Sequence, residues 1–396
     1  MVSLFGDLLL SSNTLFITKR KTIKHPKFNK NRGADFARTV KDRVNNYFTE
    51  NNISKQANAG MVVKTILMLS MFIVPITLIN LGVVQHTGLL FALYLTSGLG
   101  MAGIGMGVMH DAIHGSYSKN RTVNKILGYS MNIIGANAGV WKIQHNVLHH
   151  TYTNIDEADD DINTPQFLRF TPNRKWMKIH RFQHLYIWFF YSLSTISWIT
   201  TKDFIRVNRY WKMGLVGSKS TYRRQMLQVT LWKLSYYVYA LIIPMIVLPF
   251  SPLLVIAAFI SMHMITGISI SAVFQTAHIM PDMEFPKMDD EGKIEQNWSV
   301  HQLETTANYA PNSTIFSWLI GGLNYQVEHH LFPNICHVHY KKLSKIVKAT
   351  AEEFNVPYYS HGTFLSALSQ HKKTLQQLGQ PDAVEANAEL SAFPVG

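Results

Sequence analysis

Long apolar runs without a formal charge divide this chain into two similar halves. Residues 65–84 and 88–109 form the first pair of runs, and residues 234–250 and 252–277 form the second. Because a helix of about 20 apolar residues crosses a bilayer, the runs predict four transmembrane helices in two hairpins. Two buried hairpins of a large soluble core are the alternative, which is disfavoured because adjacent runs of this length are rare outside membranes.

The distribution of Lys and Arg predicts which ends of these helices face the cytoplasm. Twelve Lys and Arg lie between Lys19 and Lys64, and seven more lie between Lys202 and Arg224, before the third run. The turn at residues 85–87 inside the first hairpin has no Lys or Arg, and the single residue between the runs of the second hairpin is Ser251. The positive-inside rule therefore predicts that both termini and the segment between the hairpins are cytoplasmic.

Three further segments are predicted to be helical without spanning the membrane. Residues 185–200 are apolar and aromatic, but a fifth span would break the charge pattern, so an interfacial or re-entrant helix is predicted there. Two amphipathic helices are predicted from apolar positions on one face. These positions are Phe36, Val40, Val44 and Phe48 in the N-terminal segment, and Leu343, Ile346, Val347 and Phe354 near the C-terminus.

The composition agrees with a membrane protein. Only 15% of the residues are charged, against about 25% in soluble globular proteins. The net charge is +13, but Lys and Arg flank the apolar runs, which assigns them to topology and anionic lipid rather than to nucleic acid. The single cysteine, Cys336, excludes an internal disulfide and a zinc cluster built from thiolates.

Three groups of histidines begin where spans or membrane-surface helices end. They are His110 and His114 in MHDAIHGS, His145, His149 and His150 in QHNVLHHTYTN, and His329 and His330 in NYQVEHHLFP. On a helix, side chains four residues apart lie on one face, so both imidazoles of such a pair can reach one ion. All-imidazole ligands fit Fe, Zn, Cu or Ni. Because seven histidines exceed what one ion can bind, the sequence predicts a two-metal site at the cytoplasmic ends of the spans.

Other polar residues near these groups are candidates for the same site. His278 ends the fourth run on the same side of the membrane and is an eighth candidate ligand. Asp111 and the acidic run at residues 156–161 are candidates for orienting imidazoles by accepting their second N–H. His263, inside the fourth run, is interpreted as hydrogen-bonded to a neighbouring helix, and His371 is interpreted as solvated.

The histidine groups resemble the three boxes of the membrane fatty acid desaturase family. HDAIH is similar to the first box, HNVLHH to the second and QVEHH to the third, and the resemblance extends from about Met61 to Tyr358. Gln326 stands where most desaturases have histidine, which resembles the front-end branch. Members of that branch insert a double bond between an existing one and the carboxyl end.

The resemblance implies a non-haem di-iron oxidoreductase that uses O2 and two electrons to convert adjacent methylenes into a cis double bond. Gln326 and Asp111 would be ligands or neighbours of ligands, and Trp141 matches a family tryptophan near the acyl tunnel. Carried over by position, the catalytic iron ligands are His110, His114, His145, His149, His150, His278, His329 and His330.

The expected architecture is an all-α polytopic membrane protein with a helical cytoplasmic cap that holds the di-metal site. Residues 1–60 are expected to form a basic cytoplasmic segment with an amphipathic helix. Residues 61–358 are expected to form the desaturase domain, and residues 359–396 a C-terminal helix and a disordered tail.

Departures from the family pattern bear on the partners. Many eukaryotic front-end enzymes carry a fused cytochrome b5 domain with a His-Pro-Gly-Gly motif, whereas this chain has His25-Pro26-Lys27-Phe28. Electrons are therefore expected from a separate ferredoxin or cytochrome b5, and a bacterial inner membrane is favoured over the endoplasmic reticulum. Ile143-Gln144 replaces the Arg-Asp of animal acyl-CoA desaturases, so acyl-lipid and acyl-CoA both stay open as substrates.

Two other functions compete with desaturation. In a hydroxylase or oxygenase of the same superfamily, oxygen rebound replaces the second hydrogen abstraction. Which of the two reactions occurs depends on how the substrate is placed within the site. A histidine-lined metal transporter belongs to another class and would place its ionisable residues near the bilayer midplane. It is disfavoured because, of the histidines considered, only His263 is predicted there.

Overall fold

The computed structural model of the protein describes residues 26–381, which are mostly helical. Residues 1–25 of the predicted N-terminal segment, and the predicted tail beyond residue 381, lie outside the described residues. In chain order the helices are α1 (Ala34–Glu50), α2 (Ala59–Asn80), α3 (Thr87–His114), α4 (Arg121–Gly128), α5 (Ser130–Ile133), α6 (residues 138–152), α7 (residues 183–212, broken at Leu193), α8 (Lys219–Val247), α9 (Pro252–His278), α10 (Trp298–Glu304), α11 (Thr314–Leu319), α12 (Gln326–Leu331), α13 (Tyr340–Glu353) and α14 (Phe364–Leu378), with 3₁₀ turns at Lys178–Phe182 and His337–His339.

Four of these helices, α2, α3, α8 and α9, are long and apolar enough to cross a membrane. Their outward faces carry exposed aliphatic side chains, such as Ile66, Ile246 and Leu253, which are 61%, 75% and 77% exposed. The predicted all-α polytopic class with four spans is therefore confirmed. Helix α8 begins at Lys219, fifteen residues before the predicted run at 234, because Ser218 caps its N-terminus and charged turns precede the apolar part.

Small residues allow the spans to approach each other closely. A side chain at Gly100 of α3 would lie 2.6 Å from the backbone nitrogen of Phe72 in α2, and one at Gly98 would lie 2.6 Å from the carbonyl oxygen of Met262 in α9. Packing through small residues is typical of helices in membranes, where lipid is as apolar as the side chains. Helix α3 is consequently held between α2 and α9.

Helix α7 packs against the interior of span α9 at its middle, while both of its ends contact helices and loops outside the spans. At its first end Gln183 donates to the carbonyl of Leu375, in the C-terminal helix α14. At its middle Thr195 donates to the carbonyl of His263 in the interior of α9, at 2.8 Å. At its other end Arg206 pairs with Asp160, in the loop after the second histidine group, at 2.6 Å. These contacts agree with the re-entrant alternative predicted for residues 185–200.

The cap consists of the helices outside the spans and two pairs of short parallel strands. Strand β1 (Lys27–Phe28) pairs with β2 (Lys293–Ile294), and β3 (Ala307–Tyr309) pairs with β4 (Tyr359–His361). The predicted amphipathic helix at the N-terminus is confirmed, since the four apolar positions of α1 are at most 4% exposed and pack against α13. This packing ties the N-terminal helix to the region that follows the third histidine group.

Candidate metal centre

The eight candidate histidines lie together at the C-terminal ends of α3 and α9, beside α6 and α12. Seven of them are at most 4% exposed, and His114 is half-buried. One group of ring nitrogens, all within 4.8 Å of one another, belongs to His110, His114, His145 and His329; a second such group belongs to His149, His278 and His330.

His150 lies between the two groups. Its ring centre is 4.6 Å from that of His145 in the first group and 4.3 Å from that of His330 in the second. Its Nε2 atom lies 3.1 Å from Nε2 of His145. The eight side chains thus form one continuous cluster with two centres, which is the arrangement a pair of neighbouring ions would require.

A local change of helical geometry brings His145 and His150 together. Residues Ile143–His149 form a π-helical segment in α6, and the backbone N–H of His150 donates to the carbonyl of His145. In this wider turn, residues five apart are neighbours, whereas in an α-helix residues four apart are. His145 therefore groups with the first box, while His149 lies with His278 and His330. A second π-helical segment, Ile104–Val108, directly precedes the first box.

The outward nitrogen, Nδ1, of four imidazoles is positioned to donate to an oxygen. The acceptors are Asp159 for His149 (3.1 Å), the Thr305 carbonyl for His278 (3.2 Å), Tyr340 Oη for His329 (3.2 Å) and Gln302 Oε1 for His330 (2.8 Å). Such a bond fixes the tautomer and orientation of a metal-ligating histidine and leaves the lone pair of Nε2 free.

The inward nitrogens, Nε2, have few hydrogen-bond partners. Their surroundings therefore show whether the site fits metal ions. Within residues 26–381, the buried Nε2 atoms of His114, His278, His329 and His330 have no hydrogen-bond partner. Buried polar atoms without partners are rare, so this concentration calls for an explanation. Two nitrogens that bind one ion at 2.0–2.1 Å lie about 3 Å apart, as do Nε2 of His145 and Nε2 of His110, at 3.1 Å. The donor set and its spacing fit metal ions.

Electrostatics favour neutral imidazoles in most of the cluster. Burial and the neighbouring imidazoles hold the pKa of His145, His150, His329 and His330 well below the ordinary value. His149 differs: burial alone would lower its pKa, but the carboxylates of Asp159 and then Asp161 raise it to about 9. A metal at His149 would therefore displace a proton on binding.

Asp111, beside the first box, makes its closest contacts to Cys336 and His337. Its Oδ2 accepts hydrogen bonds from Cys336 Sγ at 2.9 Å and from His337 Nδ1 at 2.8 Å, while its Oδ1 is 4.0 Å from His110 Nδ1. Lys64 Nζ, buried in the first span, lies 3.2 Å from His337 Nε2. Asp111 thus links the back of the first box to a buried lysine.

The two remaining predicted site residues are buried beside the histidines. The indole of Trp141 stacks on the His145 ring, with centres 4.3 Å apart, and its ring centre is 5.6 Å from that of His110. Gln326 is fully buried in the first turn of α12, and neither atom of its amide has a hydrogen-bond partner within the described residues.

Sequence reasoning missed several residues that support the cluster. Gln302, Thr305 and Tyr340 accept from ligand candidates, but they lie outside the boxes and no spacing in the sequence connects them to the histidines. The interpretation of His263 is confirmed, since its ring nitrogens lie 2.8 Å from Tyr236 Oη and 3.2 Å from Thr195 Oγ1. The prediction that His371 is solvated is wrong.

His371 is fully buried because α14 packs against α7 and α9. Its Nδ1 donates to the carbonyl of Ile279 at 2.8 Å, and Tyr191 Oη lies 2.8 Å from its Nε2. The histidine therefore joins the C-terminal helix to the end of α9, directly after His278.

Comparison with known proteins agrees with this site. The fatty acid desaturase family model matches residues 66–362, more than half of the chain. An sn-1 linoleoyl-lipid 6-desaturase from Synechocystis sp. is 34% identical over 91% of this chain and 99% of its own length. Acyl-lipid (8-3)-desaturases from Physcomitrium patens and Mortierella alpina are 34% and 33% identical, each over 87% of this chain and over 72% and 78% of their own lengths. The chain belongs to the fatty acid desaturase family, and it is an oxidoreductase that desaturates fatty acyl chains.

Proposed function

We propose that the protein is a front-end acyl-lipid desaturase whose eight clustered histidines hold two iron ions. The observation that carries this proposal is the convergence of buried Nε2 atoms without partners, in two groups, at the C-terminal ends of two packed spans. The front-end assignment is supported by Gln326 in the third box and by the names of the relatives, which act on linoleoyl-lipid or other acyl-lipid chains.

His110, His114, His145 and His329 would hold one ion, and His149, His278 and His330 the other, with His150 between them. When bound, the pair of irons would supply the activation of O2 needed to remove two hydrogens from adjacent methylenes. The chain's own contribution is to fix the ligands: Asp159, Thr305, Tyr340 and Gln302 hold Nδ1 and aim Nε2 inward.

Two aromatic rings lie against the histidines. The Phe274 ring centre lies 6.0 Å from those of His110 and His145, and the Trp141 indole stacks on His145. These rings would keep water from the reacting methylenes and orient the acyl chain by contact. Trp141 is accordingly proposed as a substrate-binding residue, and Gln326 and Asp111 as neighbours of the ligands.

An acyl-lipid in the cytoplasmic leaflet is the proposed substrate, since Ile143-Gln144 lacks the basic residue of acyl-CoA enzymes. A separate ferredoxin or cytochrome b5 would supply electrons at the cytoplasmic surface. Residues 61–358 are proposed as the catalytic domain, with the termini and the metal centre cytoplasmic, in a bacterial inner membrane.

The test is expression in a host that contains linoleoyl lipids and has an endogenous electron donor. We expect a new double bond on the carboxyl side of the existing ones, located by mass spectrometry of the acyl chains. His149→Ala should abolish this product. His361→Ala is the matched control, because His361 lies outside both nitrogen groups.

A hydroxylated chain in place of the alkene would favour the oxygenase alternative. Unchanged acyl composition, with iron bound and donor present, would contradict the proposal. Comparison of acyl-lipid with acyl-CoA pools during a short pulse of labelled fatty acid would identify the carrier, since the product should appear first in lipid.

A further inference from the structure

The short helix α11 presents an apolar face that no other part of the described chain covers. It lies within residues 305–327, which carry no formal charge and lead into the third histidine group. None of its six residues is buried. Ile315 is 77% exposed, Leu319 47% and Trp318 38%, and these three side chains are called the apolar face of α11. Adjacent exposed apolar side chains of this kind mark a contact with lipid or with another protein.

The opposite side of α11 is fixed to the cap and to a span. The ring centre of Phe316 lies 4.8 Å from that of Phe364, at the start of α14, and 6.3 Å from that of Tyr309 in β3. Tyr309 Oη in turn donates to the carbonyl of Val273 in α9 at 2.8 Å. The orientation of α11 is therefore set by its inner side, which leaves the apolar face pointing away from the protein.

Contacts next to the apolar face place α11 at the level of the spans. Gly321, two residues after the helix, approaches α3 so closely that a side chain there would lie 2.9 Å from Cα of Gly107. The ring centre of Trp318 lies 5.4 Å from Nζ of Lys64, in the second turn of α2. Gly107 precedes His110 by three residues near the end of α3. Helix α11 thus lies beside the ends of α2 and α3, on the side of the metal centre.

The outer surface of α2 is apolar at the same level. Val63 and Ile66, on either side of Lys64 in the sequence, are both more than 60% exposed, as expected of side chains that face lipid. Tryptophan and lysine are characteristic of the membrane–water interface, where both Lys64 and Trp318 would lie. The apolar face of α11 is therefore continuous with the lipid-facing surface of a span.

A lysine lies at the first residue of α11. Lys341 Nζ, from the start of α13, donates to Thr314 Oγ1 at 3.0 Å. The Lys341 side chain is exposed, and within residues 26–381 it forms no ion pair with a carboxylate. Two of the three donors of its ammonium are available to a ligand. A cation at the edge of an apolar helix is the arrangement by which surface helices bind anionic lipid.

We propose that α11 inserts into the lipid surface on the side of the metal centre, and that Lys341 binds the headgroup of an anionic lipid there. The apolar face lies among the acyl chains, and the ammonium lies at the level of the phosphates. This contact holds the segment that leads into the third histidine group at the membrane surface. It does not depend on the metal ions or on the reaction, so its test is separate from that of the proposed function.

The first experiment measures where α11 lies relative to the lipid. Because the single cysteine, Cys336, is buried, a cysteine introduced at an exposed position can be labelled selectively. Ile315→Cys is labelled with a fluorophore, and the full chain is reconstituted into vesicles of phosphatidylcholine and phosphatidylglycerol. Quenching by lipids brominated in their acyl chains is compared with quenching by aqueous iodide. Ile66→Cys, on the lipid-facing side of α2, and Glu291→Cys, in an exposed turn of the cap, are the controls for lipid and for water.

The label at Ile315 should be quenched by brominated lipid as strongly as the label at Ile66, and it should be protected from iodide. Leu319→Cys repeats the measurement at a second position of the apolar face. Quenching of both positions by iodide as at Glu291, without quenching by brominated lipid, would overturn the proposal because α11 would then face water. Protection from both quenchers would also overturn it, since another protein or a second copy of this chain would then cover the helix.

The second experiment tests the headgroup contact with the same label at Ile315. Bromine is carried either by phosphatidylglycerol alone or by phosphatidylcholine alone, and the ratio of the two quenching efficiencies reports which lipid lies beside α11. One lysine at an anionic surface corresponds to about a fivefold preference, so Lys341→Gln should lower the ratio about fivefold. Lys348→Gln is the matched control, because Lys348 lies about 10 Å farther along α13 and pairs with Glu352. An unchanged ratio in Lys341→Gln, or an equal loss in Lys348→Gln, would overturn the assignment of the headgroup to Lys341.

Discussion

Replacement of Asp159 by asparagine tests the support of the metal centre without touching a ligand. Asp159 is fully buried, and both of its oxygens lie 3.1 Å from Nδ1 of His149. One oxygen also accepts from the backbone N–H of Asn154 and the other from that of Asp161, each at 2.9 Å. An asparagine has the same size, but whichever way its amide turns, the NH2 group faces a backbone N–H donor.

The expected losses of metal affinity and of stability follow from these contacts. Loss of a partner that orients a metal-ligating histidine weakens metal binding by about 10–100-fold, or about 1.4–2.7 kcal/mol. The unpaired backbone N–H adds about 1–3 kcal/mol of destabilisation to the fold, with or without metal. Asp159→Asn should therefore lose metal at a chelator concentration that leaves the wild-type centre intact, and its Tm should also be lower.

The assay is metal retention in the purified, detergent-solubilised protein, measured by elemental analysis after dialysis against graded chelator. Asp156→Asn is the matched control, because Asp156 lies in the same loop and accepts from Thr171 Oγ1. Unchanged metal retention in Asp159→Asn would refute the role assigned to Asp159. A lower Tm with unchanged retention would mean that the carboxylate serves the loop and not His149.

Three smaller perturbations test the surrounding structure. Gly267→Ala would place Cβ 2.5 Å from a carbonyl oxygen of α7, so thermal unfolding should show about 1–3 kcal/mol of destabilisation, whereas Gly88→Ala has open space and should be neutral. Lys64→Met removes the partner of His337 Nε2, and elemental analysis should find less metal per chain than in the wild type; an unchanged content would contradict the link through Asp111. Burial and a neighbouring carboxylate raise the pKa of Glu304 to about 7. The contribution of this side chain to the stability of the fold is therefore complete below its ordinary pKa and is lost as the pH rises through 7. Glu304→Gln should therefore raise the Tm at pH 8 by about 2–4 °C and leave it unchanged at pH 4, and an equal shift at both pH values would contradict this.

The parts of the structure that depend on local periodicity could be predicted from the sequence. Four spans follow from the length of uncharged runs, and the amphipathic α1 follows from Phe36, Val40, Val44 and Phe48. The histidine groups were recognisable because several ligand-type residues at helical spacing are improbable by chance. Each of these signals lies within about twenty residues of chain.

Contacts between distant segments could not be predicted in the same way. The predicted third run begins at residue 234, directly after Lys233, because a charged residue normally marks the end of a span. In the structure, all three donors of Lys233 are hydrogen-bonded to groups of the protein. His371 appeared solvated because the amphipathic face of one helix does not indicate what covers it. The π-helical turn that pairs His145 with His150 also has no signal in residue type.

The central claim is that the histidine cluster is a two-metal centre that serves desaturation. The most direct measurement is the amount of iron per chain in protein purified without chelator, together with its rate of acyl desaturation. Two irons per chain are predicted, and His330→Ala should lower both the iron content and the rate. A preparation that desaturates at full rate with one iron or fewer per chain would contradict the claim.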